Sequence, residues 1–388
     1  MFMRFKKTFY ITNILFFLVF GLSNTSIGQI LEITSPAKQV VIYDHETDQI
    51  LFEKNSNSIM KPASMAKVMT SYIVFDKIKD NSLNMSDTFL VSERAWKMGG
   101  SRSFLELDSN VSIKDLLLGL IVQSGNDAAV VLAEGISGDE EAFAREMNRY
   151  AKLIGMQNTY FTNSTGWPHP DLQTTAQDLV ILSKKLIKDF PDLYKLFEEK
   201  VFTYNNIKQS NRNPLLYTMS GADGLKTGHT MESGYGLIGS VKRNNRRVTI
   251  VINGLNSKKK RTFESKRLFN IVFRETKLLS LFNNQKSVVN ADVWLGKESK
   301  VNLIAEKPFN KIITPFEYNK TKVHVEWMNP LPAPILKGQK LGSIYISIPG
   351  KKMITENLVA TKDIAKMSPF LRIKSIMKFL LYGEIVEN

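Results

Sequence analysis

The stretch Pro62-Ala63-Ser64-Met65-Ala66-Lys67-Val68-Met69-Thr70 decides how the rest of the chain is read. Pro62 stands where a helix would open, and the apolar spacing after it is helical to about Tyr72. Side chains three apart on a helix share a face, so the Lys67 amine comes within reach of the Ser64 hydroxyl. The positive potential at the helix N-terminus favours an alkoxide at Ser64 and a neutral amine at Lys67. A serine three residues before a lysine also arises by chance. The pair carries meaning only in company.

Two later motifs supply that company. Ser124-Gly125-Asn126 adds a hydroxyl able to relay a proton and an amide able to hold a substrate amide group, just ahead of a predicted helix. Taken alone, both side chains read as helix caps. Lys226-Thr227-Gly228 lies on a predicted strand after the turn dipeptide Asp223-Gly224. Lys226 brings fixed charge, Thr227 a hydroxyl donor, and Gly228 lets a substrate backbone approach the strand. Those features suit a carboxylate lying along a sheet edge; taken alone they are an ordinary strand end. Three such motifs in this order point to serine acyl transfer.

Working outward, Arg4, Lys6 and Lys7 precede an apolar stretch over residues 9–22, and Ser26-Ile27-Gly28 offers a cleavage point before Gln29. Residues 1–28 are therefore expected to be a signal peptide, with an uncleaved anchor as the alternative. The apolar stretch is short for a comfortable span. Residues 40–43 and 50–53 read as strands joined by Asp44-His45-Glu46-Thr47. From about 111 to 190 the pattern is mainly helical, with Ser112 and Asp115, then Thr175 and Asp178, as capping pairs. Residues 235–241 and 246–253 flank Asn244-Asn245 as a hairpin, and 263–276 look helical. Residues 29–280 thus form an α/β (α+β) domain whose sheet is built from both ends of the segment around a helical subdomain.

Residues 281–366 alternate short β-branched runs (288–294, 322–327, 342–348) with Gly and Pro turns, the pattern of a small all-β domain. Over residues 367–388, Pro369 opens a helix with Ile373, Ile376, Met377, Leu380 and Leu381 on one face and Lys374 and Lys378 opposite. A basic amphipathic helix of this kind lies in a membrane interface; the alternative is a helix docked on its own β domain.

The 388 residues exceed one ordinary compact domain, and 43% hydrophobic with 23% charged content is that of a globular protein. No cysteine is present, which excludes thiolate catalysis, disulfides and cysteine-bound metal. The net charge of +15 suits an anionic lipid surface or polymer. Nucleic acid is set aside, because export and the absence of an aromatic-interleaved basic module argue against it. The densest basic run, Lys258-Lys259-Lys260-Arg261, reads as a solvated loop. The four histidines, His45, His169, His229 and His324, lack metal-ligand spacing, and no cofactor is called for.

With these residues in place, the chain resembles a serine β-lactamase or penicillin-binding protein, most closely the low-molecular-mass D-alanyl-D-alanine carboxypeptidases. The resemblance rests on residues 62–70, on Gln123-Ser124-Gly125-Asn126-Asp127-Ala128 and on Asp223-Gly224-Leu225-Lys226-Thr227-Gly228-His229-Thr230. Met65-Ala66 departs from the threonine often found before the lysine. The resemblance implies a transpeptidase-like catalytic fold, a β-rich C-terminal domain, and an amphipathic tail on the outer face of the cytoplasmic membrane. It implies removal of the terminal D-alanine from peptidoglycan stem peptides, and acylation of Ser64 by β-lactams. It assigns Ser64 as nucleophile with Lys67 and Ser124 in proton transfer. The backbone N–H groups of Ser64 and His229 would hold the oxyanion. Lys226 and Thr227, helped by Arg212 and Arg261, would hold the substrate carboxylate.

Four rival readings fit these residues less well. A class A β-lactamase would carry a glutamate in a loop after the second motif, and residues 161–166 offer none. A catalytically silent binding protein would not need Ser64, Lys67, Ser124 and Lys226 together. Zinc hydrolysis and a Ser-His-Asp hydrolase both lack their motifs.

Overall fold

The structure, a computed structural model, describes residues 31–282 and 286–382; the expected signal peptide lies outside the described residues. Strands β1 (Gln39–Asp44), β2 (Gln49–Lys54), β3 (Ala222–Thr230), β4 (Gly234–Arg243) and β5 (Arg246–Leu255) form one sheet in the order β2-β1-β5-β4-β3. Every pairing in it is antiparallel. The β4–β5 hairpin turns at Asn244 and Asn245, with φ of 47° and 60°. Asparagine tolerates this left-handed pair, whose twist matches that of the strands it joins.

Alternation along the strands divides the side chains between two layers. Val41, Tyr43, Ile238 and Val251 point into a helical subdomain. Val40, Ile42, Leu237, Ile250 and Ile252 point the other way, onto Leu268, Phe269 and Val272 of helix α5 (Lys258–Glu275). In the helical subdomain α1 (Lys67–Lys79) is flanked by α2 (Asn126–Ser137), α3 (Glu140–Ile154) and α4 (Ala176–Asp189). Every residue of α1 from Lys67 to Phe75 is buried, so the helix is central rather than amphipathic. Met69, Ile73 and Phe75 are fully enclosed, each contributing about 1.5–3 kcal/mol by burial. Ser112 and Thr175 cap their helices as expected, accepting from the backbone N–H of Asp115 and Asp178 at 3.1 Å.

One expectation is corrected here. The basic run 258–261 is the first turn of α5, capped by Ser257, and not a solvated loop. Lys258, Lys259 and Lys260 are exposed, whereas Arg261 is only 4% exposed. A charge count treats the four alike; helical geometry turns Arg261 inward.

The C-terminal module has its own core, centred on Leu303, Ile344, Ile346 and Leu358. The strands expected at 288–294, 322–327 and 342–348 appear as Val289–Trp294, Lys322–Trp327 and Lys340–Ser347, joined by Lys300–Ala305, Ile354–Ala360 and Leu331–Pro332 in a six-stranded sheet. Lys277–Leu281 pairs with Phe309–Ile313, so the division expected at 280 falls inside a strand. Helix α6 (Pro369–Tyr382) follows, with Phe370, Leu371, Ile373, Leu380 and Leu381 exposed. Its Phe379 meets Trp294 edge-on at 5.2 Å. Among the described residues no helix is long and apolar enough to cross a membrane.

A buried ion pair ties the sheet to the end of α5. Arg246 donates from Nε to Asp44 at 2.6 Å and from its terminal nitrogens to the Thr276 carbonyl and hydroxyl. The two side chains are 7% and 0% exposed. Arg246→Ala takes the counter-charge from a buried carboxylate whose other oxygen stays bonded to Glu46 and Thr47, and is expected to destabilise by about 3 kcal/mol, read as a lower urea midpoint. A loss below about 1 kcal/mol would mean that Asp44 is satisfied without it.

Candidate active site

Ser64 sits in a 3₁₀ turn, Ala63–Ala66, that runs straight into α1. Ala63 is held at φ 48°, a left-handed value that a non-glycine residue adopts only when its surroundings enforce it. Two glycines let those surroundings close in. A Cβ at Gly166 would lie 1.8 Å from the Ala63 carbonyl oxygen, and one at Gly228 would lie 2.9 Å from that of Pro62. The loop carrying Gly166 and strand β3 therefore press on the turn that holds Ser64 from two sides.

Lys67, one turn on, is 1% exposed. Its Nζ lies 3.3 Å from Ser64 Oγ, 2.7 Å from Asn126 Oδ1 and 2.6 Å from the Thr165 carbonyl oxygen. Burial first, and the charge of Arg212 second, bring its pKa down to about 7. Amine and ammonium therefore coexist near neutrality. A neutral amine keeps two N–H donors and one lone pair. The Asn126 and Thr165 oxygens can only accept, so they take the two hydrogens and leave the lone pair facing Ser64 Oγ.

Ser124 closes a short π-helical turn, Gly119–Gln123, at φ 66°. Its Oγ is buried, lines the cleft and has no hydrogen-bond partner among the described residues. A buried hydroxyl is rarely left unpaired outside a functional site. Asn126 is no helix cap: α2 starts with it, Gly125 holds the cap position, and the amide links Lys67 to the Gly99 carbonyl at 2.7 Å. The sequence suggested that this amide grips substrate; both of its ends have partners within the protein. Asp127 beside it accepts from the backbone N–H of Ser103 and Ala128, fixing the loop that carries Ser101.

The opposite wall is cationic. A cleft of about 410 Å³ is lined by Ser64, Ser101, Ser124, Thr227, Gly228, His229 and Tyr235, together with Arg212, Lys258 and Arg261. Among the described residues its lining has three cations and no carboxylate. Lys67, Asn126 and Lys226 lie beneath its surface, exposed by 1%, 5% and 2%. Among the described residues the Lys226 amine has one hydrogen-bond partner, the Thr227 carbonyl at 3.3 Å. Burial, then the charges of Lys67, Arg212 and Arg261, hold its pKa well below the usual lysine range. Arg261 leaves Nε unpartnered and lies 5.8 Å from the Tyr235 ring centre; burial draws its pKa down to about 10. Arg212 is anchored through Ser101 and Gln123. The His229 ring stacks on Tyr235 at 3.9 Å. Desolvated cations with so few partners form a site for an anion.

Every residue singled out from sequence thus stands at or just beneath one cleft, Arg212 and Arg261 included. Sequence reasoning missed Ser101, Thr165, Tyr235 and Lys258. Thr165 acts through its backbone carbonyl, which leaves no mark in a sequence. Tyr235 was detectable only as the cross-strand partner of His229.

Comparison with known proteins accords with this geometry. Residues 26–257 match the D-alanyl-D-alanine carboxypeptidase family, and residues 277–366 match the C-terminal domain of penicillin-binding protein 5. A D-alanyl-D-alanine carboxypeptidase of Haemophilus influenzae is 35% identical over 340 residues, 86% of each chain. The crystal structure of penicillin-binding protein 5 from that organism superposes with a TM-score of 0.70 at 35% identity, covering 86% of this chain and 100% of the other. Penicillin-binding protein D2 of Listeria monocytogenes, solved in its ampicillin-bound form, is 28% identical with a TM-score of 0.58, covering 63% of this chain and 99% of its own. On the strength of both domains, this chain belongs to the D-alanyl-D-alanine carboxypeptidase family of serine peptidases.

Proposed function

We propose that this protein hydrolyses the terminal D-alanyl-D-alanine bond of peptidoglycan stem peptides through an acyl-enzyme on Ser64. The observation that carries the proposal is the buried Lys67 amine, held by two acceptors with Nζ 3.3 Å from Ser64 Oγ. Neutral Lys67, directly or through Ser124, takes the Ser64 proton. The alkoxide attacks the carbonyl carbon of the penultimate D-alanine. The backbone N–H groups of Ser64 and His229 receive the oxyanion, each such donor being worth about 3 kcal/mol. The C–N bond breaks, the proton passes to the departing amine, and D-alanine leaves. Water then opens the ester and restores Ser64.

The terminal carboxylate is held by Thr227, Lys226, Arg212 and Arg261, which supply the charge the cleft otherwise lacks a counterpart for. Asn126 orients Lys67 from below. A β-lactam offers the same carboxylate beside a strained amide and acylates the same oxygen; the ampicillin-bound Listeria relative supports this. The protein works outside the cytoplasm, with α6 lying in the outer face of the cytoplasmic membrane. Its exposed Phe370, Ile373, Leu380 and Leu381, with Lys374 and Lys378 on the helix, support that placement.

Mass spectrometry after exposure to ampicillin is expected to find one adduct, on the peptide carrying Ser64. Ser64→Ala removes the adduct and lowers D-alanine release by at least about a thousandfold; an adduct that survives the substitution refutes the nucleophile. Because acylation needs Lys67 as the amine, the acylation rate rises with pH and levels off above about 7. A profile that stays flat through that range speaks against Lys67 as the base. Removing the chain from Pro369 onward leaves peptidase activity intact and moves the protein from the membrane pellet to the supernatant. Unchanged sedimentation counts against α6 as the anchor.

A further inference from the structure

Helix α5 contributes Lys258 and Arg261 to the cleft, yet most of its charge lies elsewhere. Lys259, Phe263, Lys266 and Arg274 recur at helical spacing along its outer side and line a groove of about 760 Å³. An adjoining groove of about 440 Å³ adds Lys260 and shares Phe263 and Arg267. At a rise of 1.5 Å per residue, the stripe from Lys259 to Arg274 is roughly 22 Å long. The acids on α5 neutralise its far end and leave its near half uncompensated. Glu264 is 2% exposed and is held by Arg267 and Ser35, and Glu275 pairs with Arg274. Lys259, Lys260 and Lys266 have no carboxylate partner among the described residues. Phe263 stands between them, 67% exposed.

We infer that this stripe is an accessory binding surface for the polymeric form of the substrate, a glycan strand bearing anionic stem peptides. The inference rests on the proposed peptidase activity. A single small anion would fill one turn of the helix; the unpaired Lys259, Lys260 and Lys266 are spread over two turns, roughly 10 Å, which matches a chain of repeating charge. The stripe starts beside Lys258, which lines the cleft, so a strand whose one stem peptide is in the cleft can leave past the start of α5. Its neighbouring stem peptides then bring carboxylates onto Lys259, Lys260 and Lys266, and the Phe263 ring offers an apolar face to a sugar. Opposite charge at such a surface raises local substrate concentration and speeds encounter, and salt screens the effect.

The test compares two substrates in the full-length protein. One is a soluble pentapeptide ending in D-alanyl-D-alanine; the other is insoluble peptidoglycan retaining pentapeptide stems. Charge reversal by Lys259→Glu, Lys260→Glu and Lys266→Glu together is expected to lower D-alanine release from the polymer about tenfold at low salt. The pentapeptide rate should stay unchanged, which also reports that the variant folds. Raising the salt should bring wild type and variant together. Equal rates on the polymer at low salt, or a loss that salt does not remove, overturns the inference. Co-sedimentation of Ser64→Ala protein with the polymer, with and without the three reversals, reads the surface independently of turnover. If the wild type fails on the pentapeptide, the peptidase proposal fails, and this binding measurement still decides the stripe. Should the reversals release the protein from phosphatidylglycerol vesicles and leave polymer binding intact, the partner is a lipid surface and the inference is wrong.

Discussion

The site depends on keeping an amine dry. Lys67 opens a helix buried on all sides from Lys67 to Phe75, and an ammonium group there has lost its hydration without gaining a carboxylate. Asp127 is committed to backbone N–H groups, and Glu140 to Ser164 and to the Arg94 guanidinium. With neither acid bonded to it, the group is relieved most readily by giving up its proton. Remove the burial and Lys67 becomes an ordinary surface cation, unable to take a proton from a serine near neutral pH.

The same lack of counter-charge shapes the opposite wall. Arg261, Lys226 and Arg212 are brought together by three separate parts of the chain, and no acid lines the cleft beside them. Burial draws the Lys226 and Arg261 pKa values down, which relieves their mutual repulsion while no anion is bound. Donors already in position and already stripped of much of their water suit a carboxylate. The loop where a class A β-lactamase would carry a glutamate here turns a backbone carbonyl, that of Thr165, toward Lys67. Its task in this chain is to hold the amine.

Division of labour between the modules follows from their cores. The five-stranded sheet buries both faces, one under helices and one under α5. The C-terminal sheet closes its own core and leaves α6 attached chiefly through its own chain and the Phe379–Trp294 contact. Apolar residues on that helix remain uncovered.

Local features of the chain were legible from sequence. Ser64 and Lys67 are three residues apart on a helix, so their proximity is a matter of backbone geometry that needs no tertiary contact. The Ser112 and Thr175 caps, the Asn244-Asn245 turn and the apolar spacing of α6 are local in the same way. Long-range placement was not legible. That Arg261 turns into the cleft while Lys259 and Lys260 face solvent follows from where α5 begins and what it packs on. That Asn126 braces a lysine, and is no cap, follows from two helices meeting. The Thr165 carbonyl, which sets the direction of the Lys67 lone pair, belongs to a backbone group every residue shares. Sequence names side chains and their local spacing; which backbone atoms and distant charges surround them is decided only when the chain packs.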